Sequence, residues 1–127
     1  MMGSDADSLV KGDGEHKLPL NWQKRFAEIV ARLVEGDFAF GPDMDDIEPF
    51  SSAEKDRFVQ NVQAYGDRLI HLDQAVWRSS IYAWANGHWA VLVDLTTENE
   101  PVSDLVLHAR IIDDDPVRIV LDSIHVP

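Results

Sequence analysis

The sequence predicts an α+β fold, with two N-terminal helices packed on an antiparallel β-meander of four to five strands. Three observations carry this expectation. Apolar residues recur at helical spacing over 19–36 and again over 51–66. From Arg68 onward the pattern changes to alternation with a period of two. Between two alternating segments stands Asn86-Gly87, a pair that accepts the positive φ angles of a type I′ hairpin turn.

The elements follow in order. Residues 1–18 are polar, contain glycine and show no hydrophobic period, so they read as a mobile tail ahead of a single domain over 19–127. "PLNWQKRFAEIVARLVEG" (19–36) is a helix with Asn21 as its cap, Trp22, Phe26, Ile29, Val30 and Leu33 on one stripe, and Gly36 as its stop. "SSAEKDRFVQNVQAYG" (51–66) is a second helix. Ser51 and Glu54 form a capping box, Phe58, Val59, Val62 and Tyr65 make the apolar stripe, and Gly66 ends it. "RLIHL" (68–72) is a short strand. "WRSSIYAW" (77–84) and "HWAVLVDL" (88–95) are the arms of the hairpin, with Trp84 opposite Trp89 and Tyr82 opposite Val91. "VSDLVLHARII" (102–112) and "VRIVLDSIHV" (117–126) form the last hairpin, joined through the Asp-rich turn before Pro116.

Alternation divides the sheet into two faces. Trp89, Val91, Val93, Leu95, Leu105, Leu107, Ala109, Ile111, Val117, Ile119 and Leu121 make an odd-numbered apolar face, the expected core beneath the helices. The even-numbered face carries His88, Asp94, Asp104, His108, Arg110, Arg118 and Asp122, with Leu92, Val106, Val120 and Ile124 between them. Trp77 is the aromatic expected to be exposed, and His125 shares parity with the core. Asp104 and His108 stand four apart. On a strand they lie on one face but roughly 13 Å from each other, so partners must come from neighbouring strands. If position numbers in the last hairpin sum to 230, His108 faces Asp122. A one-residue slip would undo that pairing.

Composition narrows the function classes. The net charge is −12, with 23 acidic against 11 basic residues, a field that disfavours nucleic-acid binding. The chain has no cysteine, which excludes disulfides, thiolate metal sites and a cysteine nucleophile. His71, His88, His108 and His125 are scattered without metal-ligand spacing, so no metal and no cofactor are expected. No apolar run is long enough for a membrane span and no signal-peptide core is visible, so a cytoplasmic location is the expectation.

"WAVLVDLTTENEPVSDLVLHARI" followed by "IVLDSIHVP" resembles a family of small uncharacterised bacterial proteins defined as a domain of unknown function. The residues that carry the resemblance are Trp89, Asp94, Leu95, Thr97, Glu98, Ser103, Asp104, Leu105, Asp122, Ile124, His125 and Val126. The resemblance implies no activity, but it singles out Asp94, Ser103, Asp104, Asp122 and His125 as a group. The order of elements is also similar to cone-shaped proteins of the nuclear-transport-factor-2-like or cystatin-like kind, in which a curved sheet wraps helices around a pocket. Their third helix has no counterpart in this sequence.

Two functional readings stand side by side. One is a non-catalytic, small acidic binding or interaction protein, homodimeric through its sheet or docking another protein. The other is a pocket protein that binds or transforms a small ligand with a His/Asp pair. The candidate polar cluster is Asp94, Ser103, Asp104, His108, Arg110, Asp122 and His125.

Overall fold

The fold is that of a computed structural model, which describes residues 8–127. The architecture is α+β, with two helices and a mostly antiparallel sheet. It has more strands than the sequence suggests, eight among the described residues.

Helix α1 spans Leu20–Val34 and buries Trp22, Phe26, Ile29, Val30 and Leu33, the stripe expected from spacing. Its start differs from expectation. Pro19, not Asn21, holds the cap position, and its carbonyl accepts the backbone N–H groups of Trp22 and Gln23. Asn21 lies in the first turn, where its Oδ1 accepts a hydrogen bond from the Ser8 hydroxyl at 3.1 Å. Proline donates nothing from its nitrogen, so it fits where a helix begins. Helix α2, Ser52–Tyr65, has Ser51 as its cap as predicted, but the expected capping box is only half formed, because the Glu54 carboxylate pairs with Arg57. Ser51 Oγ accepts from Glu54 N at 3.2 Å, and Gly66 closes the helix in the left-handed region at φ 84°. Its apolar stripe is narrower than expected, because Phe58 is buried while Val59 remains 40% exposed.

Six strands form the main sheet: β1 (His16–Lys17), β2 (Ile47–Glu48), β4 (Ile81–Ala85), β5 (His88–Asp94), β7 (Val106–Ile112) and β8 (Arg118–His125). Their spatial order is β1-β4-β5-β7-β8-β2, antiparallel throughout except for β2, which runs parallel to β8. The β4–β5 hairpin keeps the predicted register, with Trp84 paired to Trp89 and Tyr82 to Val91. Asn86 and Gly87 take φ of 57° and 84°, which positions both in the left-handed region that the turn demands. The odd-numbered residues of β5 and β7 are buried as expected, in one cluster with the apolar faces of α1 and α2.

Four departures matter. β3 (Leu69–Ile70) and β6 (Thr96–Thr97) pair with each other in a separate ribbon and do not extend the meander. Residues Gln74–Arg78 form a short 3-10 helix, so the strand expected from Trp77 begins at Ile81, and Trp77 is buried rather than exposed. Asp73 starts this turn by accepting from Ala75 N at 2.8 Å. The strand expected from Val102 begins only at Val106, because Ser103 is tied down. Its N–H and its hydroxyl both donate to the Leu95 carbonyl, at 2.8 and 2.7 Å, and this pulls the backbone out of the ladder.

The fourth concerns the N-terminus. Of the expected tail over 1–18, residues 1–7 lie outside the described residues, while residues 8–18 are docked on the domain. Leu9 and Leu18 are buried, Val10 donates from its N–H to the Tyr82 hydroxyl at 3.0 Å, and Val10 O accepts from Trp89 Nε1 at 3.0 Å. Lys11 lies over Trp84 and pairs with Asp113. Two isolated leucines in a polar segment leave no periodic trace, yet each fills a gap at the edge of the core.

Candidate functional site

The even-numbered face of the sheet is where the sequence places five of the seven residues of its polar cluster, Asp94, Asp104, His108, Arg110 and Asp122, and its layout follows from strand register. Cross-strand rows run Lys17–Ile81–Leu92–His108–Ser123, then Ala83–Ala90–Arg110–Val120–Glu48, then Ala85–His88–Ile112–Arg118, with Asp94–Val106–His125 at one end. Small and aliphatic side chains are thus interspersed with polar and charged ones in rows of three to five strands.

The ladder between β7 and β8 carries one irregularity, and it decides the chemistry of this face. From Ala109 to Ile112 the paired numbers sum to 230, as in Ala109↔Leu121 and Arg110↔Val120. Between His108 and Ala109 the register shifts, so that His108 pairs with Ser123, Leu107 with Ile124 and Val106 with His125. Asp122 is the extra residue of a β-bulge. Two expectations are overturned as a result. Ile124, expected on the outer face, points into the core and is 1% exposed. His125, expected on the core parity, shares the outer face with His108.

Asp122 does not meet His108. It accepts a two-pronged ion pair from Arg110, with Nε to Oδ2 at 2.9 Å and Nη2 to Oδ1 at 2.8 Å. That bonding holds the Arg110 guanidinium charged beyond its already high ordinary range. His108 instead stacks on His125, with ring centroids 4.3 Å apart and planes 11° from parallel. Ser123 Oγ lies 3.1 Å from His125 Nδ1. His108 Nε2 is buried and has no hydrogen-bond partner among the described residues. Burial pushes the His108 imidazole below the ordinary histidine range, the neighbouring His125 adds to this, and the Asp122 carboxylate opposes it.

The other members of the cluster lie apart from this group. Asp94 ends β5, takes a hydrogen bond from the Ser79 hydroxyl, and donates its own N–H to Ser80 Oγ at 3.0 Å. Ser103 is buried and serves the backbone clamp on Leu95. Asp104 is exposed and off the strand, and its N–H donates to the Tyr65 hydroxyl at 3.1 Å. Asp94 and Asp104 line an open surface hollow of about 510 Å³ with Ser103, Val102, Val106 and Val126. Ser79, Ser80, Tyr65 and Ser123 all engage the cluster, and nothing in their local sequence signals it. Among the described residues no group of three or more His, Asp or Glu side chains is arranged to hold a metal ion, and no helix is long and apolar enough to cross a membrane.

The histidine pair has a consequence for stability. A histidine whose pKa is depressed in the folded state binds its proton more readily when unfolded. The stability it contributes is complete above the unfolded value near 6.5 and declines as pH falls from there through the lower folded value. Thermal unfolding is therefore expected to show a melting temperature that falls as pH drops below 6.5. Asp122, Arg110, Asp94 and His125 are the titratable or charged groups nearest on the same face. His108→Gln should flatten that decline, and a profile unchanged by the substitution would assign it to other groups.

A family model described as a domain of unknown function, DUF7668, matches residues 30–127. No curated protein and no solved structure matches the chain.

Proposed function

The chain belongs to the DUF7668 family, whose description assigns no activity, and from its geometry we propose a non-catalytic interaction module that docks through the outer face of its sheet. The observation that carries this reading is the bulge at Asp122. It gives the carboxylate to Arg110 and leaves the imidazole of His108 against another imidazole, so among the described residues neither His108 nor His125 is bonded to a carboxylate. What remains is a broad face whose charged groups are largely bonded to one another and whose other side chains are three histidines among small and aliphatic residues, a surface suited to recognition by shape. The small-ligand alternative has the hollow beside Asp94 and Asp104 in its favour, within the usual size range of ligand sites, but that hollow is open to solvent.

The test uses the full chain as bait with chemical crosslinking. Ala90→Lys and Leu92→Lys insert a charge in the middle of the face. Both are expected to reduce recovery of any crosslinked partner at least about tenfold, the effect of roughly 1.4 kcal/mol. Val59→Lys, on the exposed side of α2, is expected to leave recovery unchanged. Equal recovery with all three baits would refute docking through this face.

A further inference from the structure

We infer that the corner formed by Trp84, Trp89 and Asp113 is a binding site for a lysine carried on a Leu-x-Lys segment of another protein, and that residues 9–11 of this chain hold it closed as an intramolecular ligand. The two rings belong to the core side of the sheet, so this site is separate from the outer face.

The ammonium is recognised from three sides. Trp84 and Trp89 meet across the hairpin with ring planes 61° apart and centroids at 4.8 Å, which makes a corner and not a stack. The Lys11 ammonium sits in that corner, 4.7 Å from the Trp84 centroid and 5.6 Å from that of Trp89. Both distances fall inside the roughly 6 Å over which a ring face attracts a cation. Asp113, the first residue after β7, closes the third side with its carboxylate 2.5 Å from Nζ. Two ring faces and a carboxylate around one nitrogen select for positive charge, because a neutral side chain of the same length gains neither attraction.

The residues before the lysine are held as a receptor holds a peptide. Val10 donates its N–H to the Tyr82 hydroxyl, and its carbonyl accepts from Trp89 Nε1, each at 3.0 Å. Its side chain is 47% exposed, so at this position the main chain is read and the side chain is not. Leu9 on one side of it is buried, and Lys11 on the other enters the corner. Main-chain hydrogen bonds with alternate side chains in pockets are a general mode of peptide recognition, and here they define the pattern Leu-x-Lys.

The segment is also built to come away. Residues 11–15 are exposed and include Gly12 and Gly14. They join the seated residues to β1, so the corner can open while β1 stays paired with β4. Tyr82, Trp84, Trp89 and Asp113 all lie in the matched family region 30–127, whereas the occupant comes from outside it. Charge sets the class of partner. The chain carries −12, and the turn that holds Asp113 continues as Asp114 and Asp115, with Arg118 the cation paired there. Such a field draws in a basic segment and repels an acidic one.

Isothermal titration calorimetry of the full chain with the blocked peptide Ser-Leu-Val-Lys-Gly tests the inference. The tethered segment competes at an effective concentration of millimolar order, so a site with an intrinsic Kd of about 100 µM reads about tenfold weaker in the wild type. Lys11→Glu sets a carboxylate against Asp113 and is expected to bind the peptide about tenfold more tightly than wild type does. The double variant Leu9→Ser, Lys11→Glu should bind at least as tightly as Lys11→Glu. A peptide with glutamine in place of its lysine should lose at least about tenfold on either variant. Adding Trp84→Ala to Lys11→Glu should cost as much, while adding Ala90→Lys, on the outer face, should change nothing. Circular dichroism checks that each variant is folded. A peptide that binds none of the folded chains, or binds wild type as tightly as Lys11→Glu, makes the contact intramolecular packing only and overturns the inference. Equal binding of the lysine and glutamine peptides, or no loss on Trp84→Ala, overturns the cation site. Sedimentation velocity checks the source of the segment. A wild-type dimer that Lys11→Glu abolishes would give the site to a second copy's residues 9–11 and overturn the assignment to another protein.

Discussion

Trp89→Ala is expected to destabilise the domain by about 3–5 kcal/mol, a large share of the roughly 5–15 kcal/mol that holds a domain of this kind folded. Trp89 is 1% exposed, near the turn end of the hairpin arm β5. Its ring meets Trp84 edge-on at 4.8 Å between centroids, and Lys11 stands 5.6 Å from its ring centroid. Its indole N–H also holds the Val10 carbonyl, so truncation leaves a cavity and releases the docked N-terminal segment together. Urea unfolding measures the effect as a fall in midpoint of about 1–5 M, given slopes of about 1–3 kcal/mol/M. Trp89→Phe retains most of the buried area but not the donor, and should fall between the two. A midpoint for Trp89→Ala within a few tenths molar of wild type would mean that the hairpin face is not part of the core.

The second large effect concerns two adjacent residues. Ile124→Lys is expected to cost more than about 4 kcal/mol, because it places an unpaired charge among Leu107 and the other buried side chains. His125→Lys, one residue further, should cost less than about 1 kcal/mol, since its side chain lies on the outer face beside His108. Strict alternation from Ile119 and Leu121 would give the reverse order, with position 125 inward and position 124 outward. Melting temperatures of the two variants therefore read the bulge directly, and equal losses would place neither residue as described.

These two predictions also mark how far the fold is legible in the sequence. Where local chemistry and pattern agree, expectation and structure coincide. Asn86-Gly87 fixes a two-residue turn, the turn fixes the pairing of Trp84 with Trp89, and that pairing sets which residues of β5 are buried. Ser51 and Glu54 likewise settle the start of α2. The bulge has no such signature. Asp122 replaces no apolar residue and no glycine marks it, so a strand that alternates regularly and one that gains a residue read alike until the partner strand is in place. For the same reason the His108–Asp122 pairing that follows from a uniform register becomes an Arg110–Asp122 ion pair. Ser103 reads as a polar residue inside the strand expected over 102–112, and its actual role depends on the Leu95 carbonyl eight residues away. Two-residue strands such as β1 and β2 are too short to leave any period, and only the long strands beside them give them a place.

The matched family region begins at Val30, midway along α1. Trp22, Phe26 and Ile29 come before that point, and so do Leu9, Leu18 and the Val10 carbonyl that Trp89 holds. A fragment trimmed to the shared stretch would start in mid-helix and lack five buried apolar side chains, which would leave oily sheet surface bare to solvent. Poor solubility of such a fragment would then be a property of the cut itself. A piece that keeps all five of these side chains reaches upstream to Leu9.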